Sequence, residues 1–165
     1  MIRPYLATDW SAICQIYDLA KPIELATAGV ADSFCQLEHD SDRKRDFAES
    51  TVLVAEDDGD VRGFVGFRGA FIGWLFVAPD ASRMGYGGAL LLRAIESIEG
   101  EATLWTMEAN EAAISLYRKF GFEIVERRDT HNRGLPCRAV KMRRKAAQPG
   151  ATDNPDDAQR LREDH

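Results

Sequence analysis

The spacing of apolar residues predicts two helices in the first third of the chain. Thr8 or Asp9 suits a helix N-cap, and apolar side chains at helical spacing follow. This helix is expected to end at residues 21–22 (Lys-Pro), because proline cannot donate the next helical hydrogen bond. A second helix is predicted over 42–50, with Arg43 and its basic neighbours on a solvated face. The segment between the two helices has no clear period.

Strand patterns dominate the middle of the chain and its end. Pro4 lacks a backbone N–H, so residues 2–7 are expected to form an edge strand. Residues 51–56 and 61–69 flank the turn sequence DDGD and predict an antiparallel hairpin. The run FIGWLFV at 71–77 is apolar throughout, as in a central strand covered on both faces. Further strands are expected at 102–108, 122–128 and 138–144, with 129–137 as a polar loop.

Two more helices interrupt these strands. One is expected from about residue 87 to 98, where a leucine-rich face would be buried before Gly100 ends the helix. Asn110 is a suitable N-cap for the next helix, and Gly121 would stop it. Helices alternating with a strand-rich sheet predict a mixed α/β (α+β) fold.

Composition and charge narrow the class of protein. A chain of 165 residues with 45% hydrophobic content can bury one real core, and its net charge of −6 argues against nucleic-acid or membrane-surface binding. Three widely spaced cysteines without a CxxC pair suggest free thiols, which fit a cytoplasmic protein without a metal site. No signal peptide or transmembrane pattern is visible. Apolar residues almost vanish from Lys145 onward, so residues 145–165 are expected to be a disordered tail after one domain at 1–144.

Residues 71–92, FIGWLFVAPDASRMGYGGALLL, join the buried strand to a glycine-containing loop and an apolar helix. Bare N–H groups at such a helix N-terminus bind anions, so we expect a phosphate-bearing cofactor here. The string GxxxxGK[ST] of a Walker loop does not occur. Gly85 and Gly87 fit a dinucleotide loop, but Leu90 replaces its third glycine. Glu108 lies about where a ribose-binding acid would follow, so this alternative stays open, although an acyl-CoA loop fits better.

Two longer strings carry a family resemblance. Residues 77–91, VAPDASRMGYGGALL, resemble motif A of the GNAT acetyltransferase superfamily, V-x-P-x-x-[QR]-x-x-G-x-[GA]-x-x-L-L. Residues 110–122, NEAAISLYRKFGF, resemble its motif B, N-x-x-A-x-x-L-Y-x-x-x-G-F. Residues 132–136, NRGLP, are similar to the last loop of small-molecule-type members. The resemblance covers about residues 1–144, and it departs from motif A at Ser82, where Gln or Arg is usual.

The resemblance implies a three-layer fold with helices on both faces of a mostly antiparallel sheet. The sheet would splay between the strands at 71–77 and 102–108, and coenzyme A would enter the gap. Gly73 would mark a bulge that frees backbone N–H groups, and Asn110 would bond the pantetheine arm besides capping its helix. The other implied cofactor contacts, mainly backbone N–H groups, are Leu75, Phe76, Val77, Ser82, Arg83, Met84, Gly85, Tyr86, Gly87 and Gly88.

The implied reaction is transfer of an acetyl group from acetyl-CoA to a primary amine of a small molecule or peptide. Tyr117 in motif B would protonate the departing thiolate of coenzyme A. Glu108 and His39 are the candidate general bases, and a water relay is the alternative to both. A homodimer is compatible with the resemblance. The competing hypothesis is a non-catalytic acyl-CoA-binding regulatory module.

Overall fold

The computed structural model describes residues 1–146, which form one seven-stranded sheet with four α-helices. The helices are α1 (Trp10–Thr27), α2 (Ser41–Glu49), α3 (Tyr86–Ser97) and α4 (Glu111–Lys119). The strands are β1 (Ile2–Pro4), β2 (Thr51–Asp57), β3 (Asp60–Arg68), β4 (Phe71–Val77), β5 (Ala102–Met107), β6 (Glu123–Asn132) and β7 (Leu135–Arg144).

The sheet has the strand order β1-β2-β3-β4-β5-β7-β6, and its neighbours are antiparallel except for β4 and β5. These two strands run parallel and pair only at Phe71–Thr103 and Ile72–Leu104. Beyond Ile72, β4 stays paired with β3 and β5 stays paired with β7. The sheet therefore splays between β4 and β5, which confirms the predicted mixed fold.

Helices cover both faces of the sheet, as expected. Helices α1 and α2 pack on one face in an aromatic core that includes Tyr17, Phe47, Phe64, Trp74 and Phe76. Helices α3 and α4 pack on the other face in a core that includes Leu90, Leu91, Ile114, Tyr117 and Phe122. The two cores divide the apolar residues of β4, since alternate side chains of a strand point to opposite faces.

Most predicted elements are confirmed with shifts of one or two residues. The hairpin of β2 and β3 turns at the DDGD sequence, and β4 has the predicted bounds. Asn110 caps α4, since its side-chain oxygen accepts a hydrogen bond from Ala113 N at 3.3 Å. Gly121 follows α4 with a φ of 88°, which suits a helix end. The edge strand predicted at 2–7 is shorter in the structure, where β1 ends at Pro4.

The predicted end of the first helix is wrong. Helix α1 continues through Pro22 to Thr27. A proline inside a helix removes one hydrogen bond and costs roughly 3 kcal/mol. The extension buries Leu25 almost completely, against a cluster that contains Val30 and Met107. Burial of this extra turn therefore overrides the local signal of the proline.

The predicted loop at 129–137 is also wrong. Strands β6 and β7 continue through most of it and meet at a two-residue turn. Both turn residues, Arg133 and Gly134, have positive φ values of 47° and 86°, as a tight hairpin requires. The residues of β6 are mostly exposed, so cross-strand pairing rather than apolar burial forms this ribbon. The tail predicted at 145–165 lies, apart from two residues, outside the described residues.

No helix within residues 1–146 has the length and apolarity needed to cross a bilayer.

Candidate active site

The splay between β4 and β5 opens a cavity of about 240 Å³, which we call the gap cavity. Its floor comes from β4 and β5, and its walls come from α1, α2 and the start of α4. The lining residues are Lys21, Glu24, Arg43, Asp46, Phe71, Ile72, Gly73, Trp74, Leu75, Phe76, Trp105, Thr106, Asn110, Ala113 and Tyr117.

A bulge in β4 lies at the entrance to this gap. Gly66 pairs with Trp74 and Phe67 pairs with Ile72, so Gly73 is the extra residue. This confirms the bulge predicted at Gly73. A bulge bends its strand and increases the local twist, and here it coincides with the point where β4 separates from β5.

The backbone of β4 presents unpartnered groups to the gap. Ala78 N donates to Arg62 O at 2.8 Å, in register with the β3–β4 ladder. Hydrogen-bonded pairs alternate along an antiparallel ladder, so Phe76 turns its N–H toward β3. Leu75 and Val77 have the opposite phase, and their N–H groups point toward the side that β5 has left. Two of the three predicted backbone contacts of β4 therefore face the gap.

A loop with left-handed backbone leads from β4 into α3. Arg83 and Gly85 have φ values of 62° and 90°, and Gly85 is the N-cap of α3. The first helical N–H bond to Gly85 O comes from Ala89. The N–H groups of residues 86–88 therefore precede the helical ladder, and the loop from Ser82 to Gly85 is exposed. Such a cluster of free N–H groups at the positive end of a helix dipole can hold an anion.

Gly87 and Gly88 have a second role in helix packing. A Cβ atom on Gly87 would lie 3.3 Å from Leu116 Cδ2, and one on Gly88 would lie 3.3 Å from Phe120 Cζ. Both positions therefore allow α3 and α4 to approach closely. Gly85 differs, since its Cβ would meet no atom within 4 Å. Gly85 is thus the position at which loop geometry is separable from packing.

Tyr117 lies on the buried face of α4 and lines the gap cavity. Its ring packs edge-on against Phe122 with centroids 5.9 Å apart. Within residues 1–146 its hydroxyl has no hydrogen-bond partner. The hydroxyl is nevertheless not sealed off from solvent-accessible space, so it opens onto the cavity. Burial, and secondarily the charge of Glu24, raises the pKa of Tyr117 well above its usual range. The phenol therefore keeps its proton at neutral pH.

The two predicted bases lie outside the lining of the gap cavity. Glu108 follows β5 and forms ion pairs with Arg127 at 3.4 Å and Arg138 at 3.3 Å. His39 ends a short turn before α2, where it is exposed. Asn110 does line the cavity, and the cap bond uses only its amide oxygen. Its amide nitrogen therefore remains a donor on the cavity side of α4.

Four charged residues of the site were missed by sequence reasoning. Lys21 and Glu24 come from α1 and form an ion pair at 3.0 Å, and Asp46 comes from α2. The fourth, Arg43, was expected on a solvated helix face, and that expectation is wrong. Its guanidinium stacks on the Trp74 ring at 3.8 Å, which places it over the sheet. The spacing of residues 17, 21 and 24 on one face of α1 was the available signal.

Comparison with known proteins confirms the family resemblance. Residues 48–124 match the family model described as an acetyltransferase (GNAT) domain. The peptidyl-lysine N-acetyltransferase YiaC of Escherichia coli is 38% identical over 80 residues, which are 48% of this chain and 54% of that protein. The chain thus spans about half the length of this curated relative.

Solved structures share the fold over most of the described chain. A GCN5-related N-acetyltransferase from Rhodopseudomonas palustris superposes with a TM-score of 0.77 at 18% identity, covering 88% of this chain and 94% of that one. A GNAT phosphinothricin acetyltransferase from Sinorhizobium meliloti, solved with acetyl-CoA, gives a TM-score of 0.69 at 20% identity. It covers 93% of this chain and 91% of its own.

Proposed function

We propose that the chain is an N-acetyltransferase of the GNAT family, because residues 48–124 match the GNAT acetyltransferase domain model and its fold superposes on a GNAT structure with a TM-score of 0.77. It would transfer the acetyl group of acetyl-CoA to a primary amine of a small molecule or peptide. The observation that carries the proposal is the convergence on one gap of unpartnered β4 N–H groups and the Tyr117 hydroxyl. The domain is proposed to span residues 1–144, and the cytoplasmic location and a homodimer stay predictions.

The loop before α3 is proposed to hold the pyrophosphate of coenzyme A. Backbone N–H groups of residues 83–88 would supply the donors, with the positive end of the α3 dipole behind them. Ser82 is exposed and can add a hydroxyl, in place of the longer side chain that motif A usually has. Backbone donors suffice in this geometry, so the departure at Ser82 leaves the anion site intact.

The gap is proposed to take the pantetheine arm and the thioester. The N–H groups of Leu75 and Val77 and the free amide nitrogen of Asn110 would bond the arm and polarise the thioester carbonyl. Donors fixed before the reaction stabilise a developing oxyanion without reorganisation. The two fixed N–H donors are therefore the main contribution proposed for β4 in catalysis.

In the transfer step the amine nitrogen attacks the thioester carbonyl, and a C–N bond forms as the C–S bond breaks. The nitrogen gives up a proton, and the departing thiolate of coenzyme A receives one. Tyr117 is proposed to donate that second proton, since its raised pKa keeps the phenol protonated in the buried gap, and the phenolate regains a proton from water before the next turnover. A thiol pKa near 8.5 makes the thiolate a moderate leaving group, so this help is modest.

The base that receives the amine proton is proposed to be Glu24. It lines the gap cavity on the wall of α1, while Glu108 and His39 do not line it. Either of those two residues would have to act through water. A lysine-like amine, with a pKa near 10.4, needs such a base or a desolvated site far more than an α-amine does.

The test is thiol release from acetyl-CoA with a panel of amines, together with calorimetric titration of coenzyme A. We expect micromolar to millimolar binding and amine-dependent thiol release above hydrolysis. Binding without amine-dependent release across the panel would favour the non-catalytic regulatory module. A folded protein that does not bind coenzyme A would contradict both hypotheses and would favour a dinucleotide-binding loop instead. Peptides with a lysine belong in the panel, because the curated relative is a peptidyl-lysine N-acetyltransferase.

A further inference from the structure

A second cavity of about 130 Å³ lies beside the gap cavity, and we call it the side cavity. It is enclosed by α1, the segment before α2 and the turn between β6 and β7. Lys21 and Arg43 line both cavities and so form the boundary between them. The lining residues of the side cavity are Tyr17, Lys21, Leu25, Ser33, Phe34, Cys35, Asp40, Arg43, Asn132 and Arg133.

Charge is distributed unequally between the two cavities. The side cavity is lined by three cations, Lys21, Arg43 and Arg133, and by one acid, Asp40. Lys21 pairs with Glu24 at 3.0 Å and Arg133 pairs with Asp40 at 3.4 Å, so the excess of positive charge comes from Arg43. The gap cavity shares two of these cations and is lined by two acids, Glu24 and Asp46. The side cavity therefore favours an anionic group, while the acids and the Tyr117 hydroxyl face the position of the amine.

Arg43 is the cation best placed to bind such a group. Its recorded ion pair within residues 1–146 is with Asp46, at 3.9 Å, beyond hydrogen-bond range. The two oxygens of Asp46 already accept from Arg68 at 2.6 Å and from Trp74 Nε1 at 2.9 Å. Asp46 therefore compensates Arg43 only weakly, which leaves guanidinium donors for a ligand.

Stacking on two aromatic rings holds the Arg43 guanidinium in place. The group lies 3.8 Å from the centroid of Trp74 and 5.8 Å from that of Tyr17. By its charge and by a hydrogen bond to the phenol, Arg43 opposes the rise in the pKa of Tyr17 that burial causes, so the guanidinium acts on the side cavity and keeps its other N–H groups for a ligand. A guanidinium stacked on its face presents its N–H edge in a plane, which is the geometry that a carboxylate accepts in bidentate fashion.

We propose that Arg43, assisted by Lys21, binds a carboxylate of the acceptor in the side cavity, so that the acceptor is a small amino acid-type molecule. The amine of the acceptor would enter the gap cavity, while its carboxylate would stay in the side cavity. An apolar cavity of about 150 Å³ can hold a benzene-sized molecule, so about 130 Å³ has room for one small group of this kind. This inference rests on the proposed acetyl transfer and names its acceptor class.

The experiment compares α-, β- and γ-amino acids with their carboxamides as acceptors, using steady-state thiol release from acetyl-CoA. We expect kcat/KM for the acids to exceed that for the matched amides by roughly 10- to 100-fold, the range for hydrogen bonds to charged groups. In Arg43→Gln this preference should disappear through a rise in the acceptor KM. The KM for acetyl-CoA should stay within about 2-fold, since Arg43 belongs to the acceptor side.

Two further variants separate binding from folding. Arg43→Lys keeps the charge without the planar fork and should restore only part of the preference. Arg45→Gln lies on the same helix with an exposed side chain that pairs with Asp42 at 3.7 Å, and it should retain the full preference. Thermal melting of all three variants identifies any that are unfolded.

Two outcomes would overturn the proposal. One is equal or better turnover of the amides or of lysine peptides by the wild-type protein. The other is an equal loss on acids and amides in a folded Arg43→Gln protein. In both cases acetyl transfer itself would still be observed, so the proposed function would stand. If no amine gives thiol release and the protein does not bind coenzyme A, the proposed function and this inference would both be wrong.

Discussion

The two halves of the candidate site are built in different ways. The proposed cofactor half consists of β4, the loop after it and the starts of α3 and α4, which are consecutive in the chain except for β5. Most of its proposed contacts are backbone N–H groups. The proposed acceptor half combines α1, α2 and the turn between β6 and β7, and its contacts are charged side chains.

This difference has a physical basis. A pyrophosphate or a thioester carbonyl can be bound by backbone donors, whose positions depend on local conformation and on glycine. Recognition of an acceptor needs particular side chains from several directions, and these are brought together by tertiary packing. The bond from Asn132 Nδ2 to Ser33 Oγ, at 2.6 Å, joins segments 99 residues apart at the edge of the side cavity. The cofactor half should therefore be sensitive to backbone changes, and the acceptor half to side-chain changes.

The largest effect is expected from the loop. Gly85→Val places a β-branched residue at a φ of 90°, which only glycine adopts readily, while its side chain would meet open space. The loop should move and lose at least two charge-assisted bonds, which corresponds to a loss in coenzyme A affinity of about 100-fold or more. Isothermal titration calorimetry measures this directly.

The matched control for the loop is Gly100→Val at the other end of α3. Gly100 has a φ of 86° and equally open surroundings. It should show similar backbone strain with unchanged affinity for coenzyme A. Equal affinity of wild type and both variants would place the anion site elsewhere and end the proposed contrast between the two halves.

The next effect tests the side chain of the cofactor half that is proposed to act in the chemical step. Tyr117→Phe should lower kcat by about 10- to 100-fold, because the thiolate leaves without a proton donor. The KM for acetyl-CoA should change little, and Tyr5→Phe, which lies outside the lining of the gap cavity, should retain full kcat. If pre-steady-state measurements show an unchanged chemical step in Tyr117→Phe, the tyrosine is a packing residue only.

A pH titration of stability measures the burial of the same phenol. Its pKa in the folded protein is raised above the unfolded value of about 10, so the unfolded chain loses this proton first as pH rises. The wild-type free energy of unfolding should therefore fall above pH 10, by about 1.4 kcal/mol per pH unit from this group. Tyr117→Phe should lack this part of the slope in urea titrations between pH 9 and about pH 11. Parallel slopes for the two proteins would show that the hydroxyl is hydrated.

The smallest effect concerns the contact that joins the distant segments of the acceptor half. Asn132→Ala removes the bond to Ser33 and should raise the acceptor KM by about 5-fold, as expected for roughly 1 kcal/mol. Binding of coenzyme A should be unaffected. A change in coenzyme A affinity of the same size would mean that the two halves are not energetically separate.

Much of the fold and of the cofactor half was predictable from sequence. Strand β4 and its bulge at Gly73, the Asn110 cap and the helix after the glycine loop all follow from short-range patterns. Each depends on interactions within a few residues, or on a conformation that only glycine favours. The length of α1 was mispredicted because the benefit of continuing past Pro22 lies in the burial of Leu25 against distant residues.

The sequence by itself therefore determined the order of elements, the mixed fold and the position of the proposed cofactor loop. Only the tertiary structure decided which charged side chains line the two cavities. It turned Arg43 onto Trp74 and brought Glu24 to the gap, while it left Glu108 paired with arginines outside the lining. A charged residue on a helix has the same local pattern whether it faces solvent or a cavity, and only long-range packing separates these two outcomes.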